Sequence, residues 1–255
     1  MKKILNRVPE VTGSFWIIKV LATTVGETLA DYLSVNLKLG LSVTSYVMSA
    51  VLLIALLNQF RLKRYVPVSY WIVVVLMSIT GTLITDRLVD ELGVSLTTIN
   101  IVFSVVLSAV FWLWYSNEKT LAMHSINTAK RELFYWAAIL FTFALGTATG
   151  DFIAEALKLG YAQSALVFGV LIAIVATGYY YFRMNAVLAF WIAYILTRPL
   201  GASTGDLLSQ PTTNGGFGFG TVGTSMLFLS IIMSLVIYLS FKQKKLAPMP
   251  IDQQD

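Results

Sequence analysis

The chain has 255 residues, of which 57% are apolar and only 12% charged, about half the charged share of roughly 25% usual in soluble domains. A mean hydropathy of +0.75 is more than one water-soluble core of this size can hide, so a soluble enzyme and a disordered chain are both excluded and a polytopic membrane protein remains. The lack of cysteine removes disulfides, thiolate metal sites and thiol catalysis, and a lone histidine, His124, removes a metal centre built on imidazole and sulfur. The net charge of +5 is not read as nucleic-acid binding, because in a membrane protein the placement of basic residues counts for more than their sum.

Met1-Lys2-Lys3 ahead of an apolar stretch has the outline of a signal peptide, but that stretch carries Lys19, Glu27 and Asp31 and has no small-residue cleavage site, so it reads as a retained helix. Crossing the hydrocarbon takes about 20 residues. Eight apolar runs of that kind follow one another, at about 14–36, 41–60, 68–92, 95–115, 133–157, 162–182, 186–209 and 221–241. Backbone groups in lipid must be satisfied within their own segment, which makes these runs helices. The expected fold is therefore an all-α membrane protein of eight transmembrane helices. One side of this plan collects Lys2, Lys3, Arg7, Arg61, Lys63, Arg64, Lys119, Lys130, Arg131, Arg183, Lys242, Lys244 and Lys245; the other has only Lys38, Arg87 and Lys158. That bias predicts both termini to be cytoplasmic. Residues 1–242 form a single transmembrane domain in this reading, and 243–255 a disordered cytoplasmic tail. The five glycines from Asn214 to Gly223 read as a mobile turn.

The runs repeat. An aromatic-Trp pair, nine residues, a Gly, four residues and an Asp recur as Phe15-Trp16, Gly26, Asp31; Tyr70-Trp71, Gly81, Asp86; Tyr135-Trp136, Gly146, Asp151; and Phe190-Trp191, Gly201, Asp206. The glycines are 55, 65 and 55 residues apart, giving repeats at about 8–62, 65–118, 130–183 and 186–242, in two pseudo-symmetric halves. Each repeat is expected to be one helical hairpin. Two crossings return the chain to its starting side, so the four hairpins should be parallel and related by an axis near the membrane normal.

The segments Val8-Pro9-Glu10-Val11-Thr12, Phe15-Trp16-Ile17-Ile18-Lys19 and Thr23-Thr24-Val25-Gly26-Glu27-Thr28 with Asp31, and the later Thr149-Gly150-Asp151 and Thr204-Gly205-Asp206, carry a likeness over nearly the whole chain. It resembles a bacterial membrane-anchored protein family made of four copies of a repeat of unknown function. The resemblance implies an eight-span protein of the bacterial inner membrane and brings no substrate with it.

Fifteen residues from Trp to Asp are about 22 Å of helix. With the Trp at the cytoplasmic interface as an anchor, Asp31, Asp86, Asp151 and Asp206 would share one depth in the outer part of the bilayer and could form an acidic ring. A carboxylate near the helix centre costs roughly 2.5–3.5 kcal/mol, so it persists where it meets water, a cation or a buried base. Glu27 lies one turn deeper than Asp31 on the same helix face, and Asp151 pairs with Glu155, and Asp86 with Asp90, at the same spacing. Two such carboxylates can share a proton or hold a hard cation, which makes Glu27, Asp31 and Asp151 the candidate metal ligands. Hydroxyls surround them (Thr23, Thr24, Thr28, Thr82, Thr85, Thr147, Thr149, Ser203, Thr204), and Thr24, Thr28, Thr147 and Thr204 join the candidate site. An all-oxygen set favours protons, sodium, magnesium, calcium or manganese over softer metals. Each Gly begins or adjoins a small-xxx-small face for close helix packing. Two bases break the symmetry. Lys19 is placed to snorkel to the cytoplasmic interface, and Arg198, ahead of the helix-kinking Pro199, to neutralise an acid or meet an anionic substrate.

The expected function is a membrane transporter of a hard cation, proton-coupled or divalent, through the intramembrane acids. The alternative is a carrier or channel for a small organic or anionic solute using Arg198 and Lys19. An intramembrane aspartyl protease fits poorly, since Ala148 and Ser203 replace the second Gly of the Gly-x-Gly-Asp pattern and four equivalent aspartates are not a dyad. No other catalytic pattern and no cofactor motif is present. The expected partners are the bilayer and a small cation or proton, with no nucleic acid and with homo-oligomerisation left open; a purely structural role is the remaining reading.

Overall fold

The computed structural model describes residues 6–246, which form eight long helices and no strand. These are α1 (Gly13–Asp31), α2 (Leu41–Arg61), α3 (Pro67–Asp86), α4 (Leu96–Glu118), α5 (Ala129–Asp151), α6 (Tyr161–Tyr181), α7 (Ala186–Ser209) and α8 (Gly220–Leu246). Local chemistry sets their starts. Thr12, Ser95, Thr128 and Asn185 accept backbone N–H bonds as N-caps, and Pro67 opens α3 where its missing N–H is harmless. Seven helices, α2 to α8, are long and apolar enough to cross a membrane. The eighth, α1, carries Lys19, Glu27 and Asp31 in 19 residues, yet Lys19 and Glu27 are buried within the protein.

The odd-numbered helices form a closed inner ring, α1 on α3, α3 on α5, α5 on α7 and α7 on α1. The even-numbered helices lie outside it and are mostly exposed. Each packs chiefly on the odd helix of the following repeat: α2 on α3, α4 on α5, α6 on α7, and α8 on α1 to close the circle. The unit of packing is thus not a self-contained hairpin. Each repeat lends its outer helix to its neighbour.

Four close approaches hold the ring. A side chain at Gly26 would run into Ser78, at Gly81 into Phe143, at Gly146 into Arg198 and at Gly201 into Thr23. Every one of these partners stands three residues before the glycine of the next repeat. The small-residue face predicted from sequence does this packing.

The tryptophans depart from expectation. Trp71, Trp136 and Trp191 are buried, Trp16 partly so, in one cluster with Phe15, Tyr70, Tyr135, Phe190 and Tyr194 where the first turns of the inner helices meet. Trp191 Nε1 donates to the Leu121 carbonyl at 2.9 Å. They are core residues rather than interfacial anchors, because an inner helix enclosed by neighbours has little outward surface to place them on.

At the opposite end, α1, α3 and α5 pass directly from Asp31, Asp86 and Asp151 into one π-helical turn (Tyr32–Asn36, Arg87–Glu91, Phe152–Ala156), closed by left-handed residues at Lys38, Gly93 and Lys158. The fourth repeat ends differently. Its glycine-rich segment folds back on α7, with Phe217 N–H donating to the Leu207 carbonyl at 2.7 Å and Phe219 N–H to the Leu208 carbonyl at 2.9 Å, so the expected mobile turn is a hydrogen-bonded cap. Helix α8 continues to Leu246, past the predicted start of the tail at 243; the rest of that tail, like Lys2 and Lys3, lies outside the described residues.

Candidate functional site

The register of the repeats puts equivalent side chains in layers along the ring. In the layer just after the glycines stand Glu27, Thr82, Thr147 and Ala202, all buried. Three repeats offer oxygen here; the fourth offers a methyl group and instead sends Arg198 from one turn earlier. The Arg198 guanidinium is fully buried. Its Nη2 lies 2.9 Å from Glu27 Oε2, donates to Thr147 Oγ1 at 2.6 Å and also to Thr82 Oγ1, while Nη1 donates to the Thr23 carbonyl at 3.2 Å. Nη2 has two protons for three acceptors, so one bond is shared. Thr82 Oγ1 is 3.4 Å from Glu27 Oε2 and 3.5 Å from Thr147 Oγ1. Carboxylate and two hydroxyls form an oxygen cage around Nη2, with the Thr23 carbonyl at its edge on Nη1. Removing one partner of such a buried pair costs about 3–5 kcal/mol, since the other charge is left uncompensated.

Lys19 does not snorkel. It is fully buried, its Nζ 4.4 Å from the Phe143 ring centre and 4.2 Å from that of Tyr194, with no hydrogen-bond partner. Its layer is completed by Val74, Ile139 and Tyr194, all fully buried. The stem runs along an enclosed helix and has no open route outward, so two aromatic faces take the place of water. With the aromatic layer of Phe15, Tyr70, Tyr135 and Phe190 beyond it, this end of the ring is closed.

One turn past the cage, on the other side, stand the four repeat aspartates. None of Asp31, Asp86, Asp151 and Asp206 has a side-chain hydrogen bond or ion pair among the described residues. Asp206 is buried, at 8% exposure, and the others are half-buried. Glu27 stands one turn before Asp31 on α1, and the repeat register sets Asp86, Asp151 and Asp206 at the height of Asp31. The candidate metal set is not assembled, however. Among the described residues no three His, Asp or Glu side chains come close enough to share a metal ion. Glu27 is turned to Arg198, a turn away from Asp31 and Asp151, which leaves those two without a third direct ligand.

Of the four hydroxyls placed in the candidate site from sequence, only Thr147 joins the cage. Thr24 Oγ1 donates to the Val20 carbonyl, Thr204 Oγ1 to the Leu200 carbonyl, and Thr28 Oγ1 bonds Ser225 Oγ at 2.6 Å, so these satisfy backbone and helix contacts instead. Sequence reasoning named Thr82 among the surrounding hydroxyls without placing it in the site, and did not single out Phe143 or Tyr194. Thr82 had a signal, since it is the repeat equivalent of Glu27. A second buried polar cluster also went unseen: Glu132, fully buried, accepts from Arg7 Nη1 at 2.7 Å, Gln59 Nε2 at 3.1 Å and Trp136 Nε1 at 3.3 Å. It ties the segment before α1 to α2 and α5.

Set against known families, the chain matches one described as Repeat of Unknown Function (DUF347) four times, over residues 14–65, 69–120, 134–185 and 189–245. No curated protein and no solved structure matches it.

Proposed function

The chain belongs to the family defined by this repeat, and on that footing we propose that it is a membrane transporter for a hard cation, with its path along the axis of the inner ring. In this reading all eight helices span a bacterial inner membrane, α1 included, because its charges are turned inward. The four repeats share one orientation and both termini are cytoplasmic. The meeting of all four aromatic-Trp pairs at one end and the four aspartates at the other supports the shared orientation, and the bias of basic residues supports the cytoplasmic termini.

The observation that carries the reading is the set of four aspartates without partners among the described residues, one turn from Glu27. Ionisable groups at such depth are costly and mark ion pathways. Their oxygen chemistry suits protons and hard cations, held through water rather than by direct chelation, since the carboxylates do not converge. The closed aromatic end favours a carrier over an open pore. The test is flux of a cation panel into liposomes holding the purified protein. Asp31→Asn and Asp151→Asn should abolish flux while leaving the protein folded; undiminished flux in both variants, or no flux of any cation in the parent, would overturn the reading.

The anionic-solute reading keeps one observation, the buried Lys19 Nζ without a carboxylate. It predicts organic-anion uptake that is lost in Lys19→Met and retained in the two Asn variants.

A further inference from the structure

We infer that the oxygen cage of Glu27, Thr82 and Thr147, with the Thr23 carbonyl at its edge, is a binding site for a sodium-sized monovalent cation, and that Arg198 occupies it as a tethered competitor. The inference rests on the transport reading for its physiological meaning; the site itself does not depend on it.

Three features point this way. The first is the ligand set. One carboxylate and two hydroxyls, from three different repeats, converge on a single Nη2 atom, with a backbone carbonyl on the neighbouring Nη1. Cations that prefer oxygen use this kind of donor. The second is size. Oxygens 3.4 and 3.5 Å apart, taken as neighbouring ligands at right angles, have a common centre about 2.4 Å from each, the oxygen distance of a calcium-sized ion. The third is charge. Sodium has that size with a single charge, so it can replace the guanidinium without altering the charge balance. A divalent ion would leave one positive charge unmatched by the single carboxylate of the cage.

The displaced guanidinium has a destination. Asp151 stands one helical turn past Thr147, which already accepts from Arg198, and makes no ion pair among the described residues. Arg198 also precedes Pro199, the proline inside α7, which removes one helix hydrogen bond and loosens the turn that carries the arginine. Its Cβ and Cγ lie against Gly146, where no side chain stands in the way. Sodium binding at Glu27 would thus send Arg198 toward the aspartates and alter the charge around them.

The test uses the purified full-length chain in detergent micelles, heated in sodium, potassium or choline chloride at equal ionic strength. Arg198→Ala empties the cage. Sodium near 100 times its dissociation constant should raise the Tm of this variant by about 5 °C over choline, guanidinium ion at low millimolar concentration should substitute for it, and the double variant Arg198→Ala/Glu27→Gln should show neither effect. Equal behaviour in all three salts, or a sodium effect that survives in the double variant, overturns the inference. If Arg198→Ala does not fold, calorimetric titration of the parent chain with sodium decides: binding heat lost in Glu27→Gln and kept in Asp31→Asn supports the cage, and no heat, or the reverse pattern, refutes it. Flux on the same preparation separates the two readings. Sodium-specific binding without any flux removes the transporter and leaves the site; flux of another cation without sodium binding does the opposite.

Discussion

Gly81→Ala tests the inner ring directly. A Cβ at this position would lie 2.6 Å from Phe143 Cβ, 3.0 Å from the Ala144 nitrogen and 3.1 Å from the Phe143 carbonyl carbon. Two of these atoms are backbone, so no rotamer change relieves the overlap. Carbon atoms rest about 3.5–4.0 Å apart, so α3 and α5 must part by about 1 Å. That shift also stretches the bond from Thr85 Oγ1 to the Ala144 carbonyl, now 2.9 Å, and moves Thr82 relative to Thr147 in the cage. Overpacking costs about 1–3 kcal/mol, here toward the upper end, against about 1 kcal/mol gained in helix propensity. The net loss is about 2 kcal/mol. Gly150→Ala is the matched control, because its Cβ would meet Ala202 Cβ at an ordinary 3.5 Å and the propensity gain should leave it neutral or up to about 1 kcal/mol more stable. Reversible unfolding in mixed micelles, followed by tryptophan fluorescence, measures both. Equal stability of the two variants would refute the close approach of α3 and α5 at Gly81.

Two further outcomes follow from the buried charges. Lys19→Met removes a buried amine that meets two aromatic faces and has no hydrogen-bond partner among the described residues; it should leave Tm unchanged or higher, and a marked drop in Tm would show a missing partner for Lys19. Glu132→Gln breaks the buried pair with Arg7 and should cost about 3 kcal/mol in the same unfolding assay; a loss under 1 kcal/mol would mean that the segment before α1 is not held by it.

Much of the fold was legible because it is periodic. Hydropathy located the helices within a few residues, and the spacing of Gly26, Gly81, Gly146 and Gly201 gave both the repeat and the face on which helices meet. The same spacing fixes which residues share a layer, so Thr82 and Thr147 could have been placed beside Glu27 from sequence. What misled was the assignment of residue types by their average habits. Tryptophan at a helix end usually marks an interface and lysine near one usually snorkels, but both habits assume a helix with an open side. Trp71, Trp136 and Lys19 lie on helices enclosed by the ring.

The sequence alone determined the membrane class, the fourfold order and the shared height of the four aspartates along their helices, since these depend on composition and on distance along a helix. Only the tertiary structure decided that α2 leaves its own repeat for α3, that Glu27 faces Arg198 rather than Asp31, and that the aspartates find no partner among the described residues. The physical reason is that a side chain on the axis answers to all four repeats at once. Identical spacing brings four equivalent positions to one height, and the departures from identity there, an arginine three residues before Gly201 and an alanine just after it, select the contacts that form.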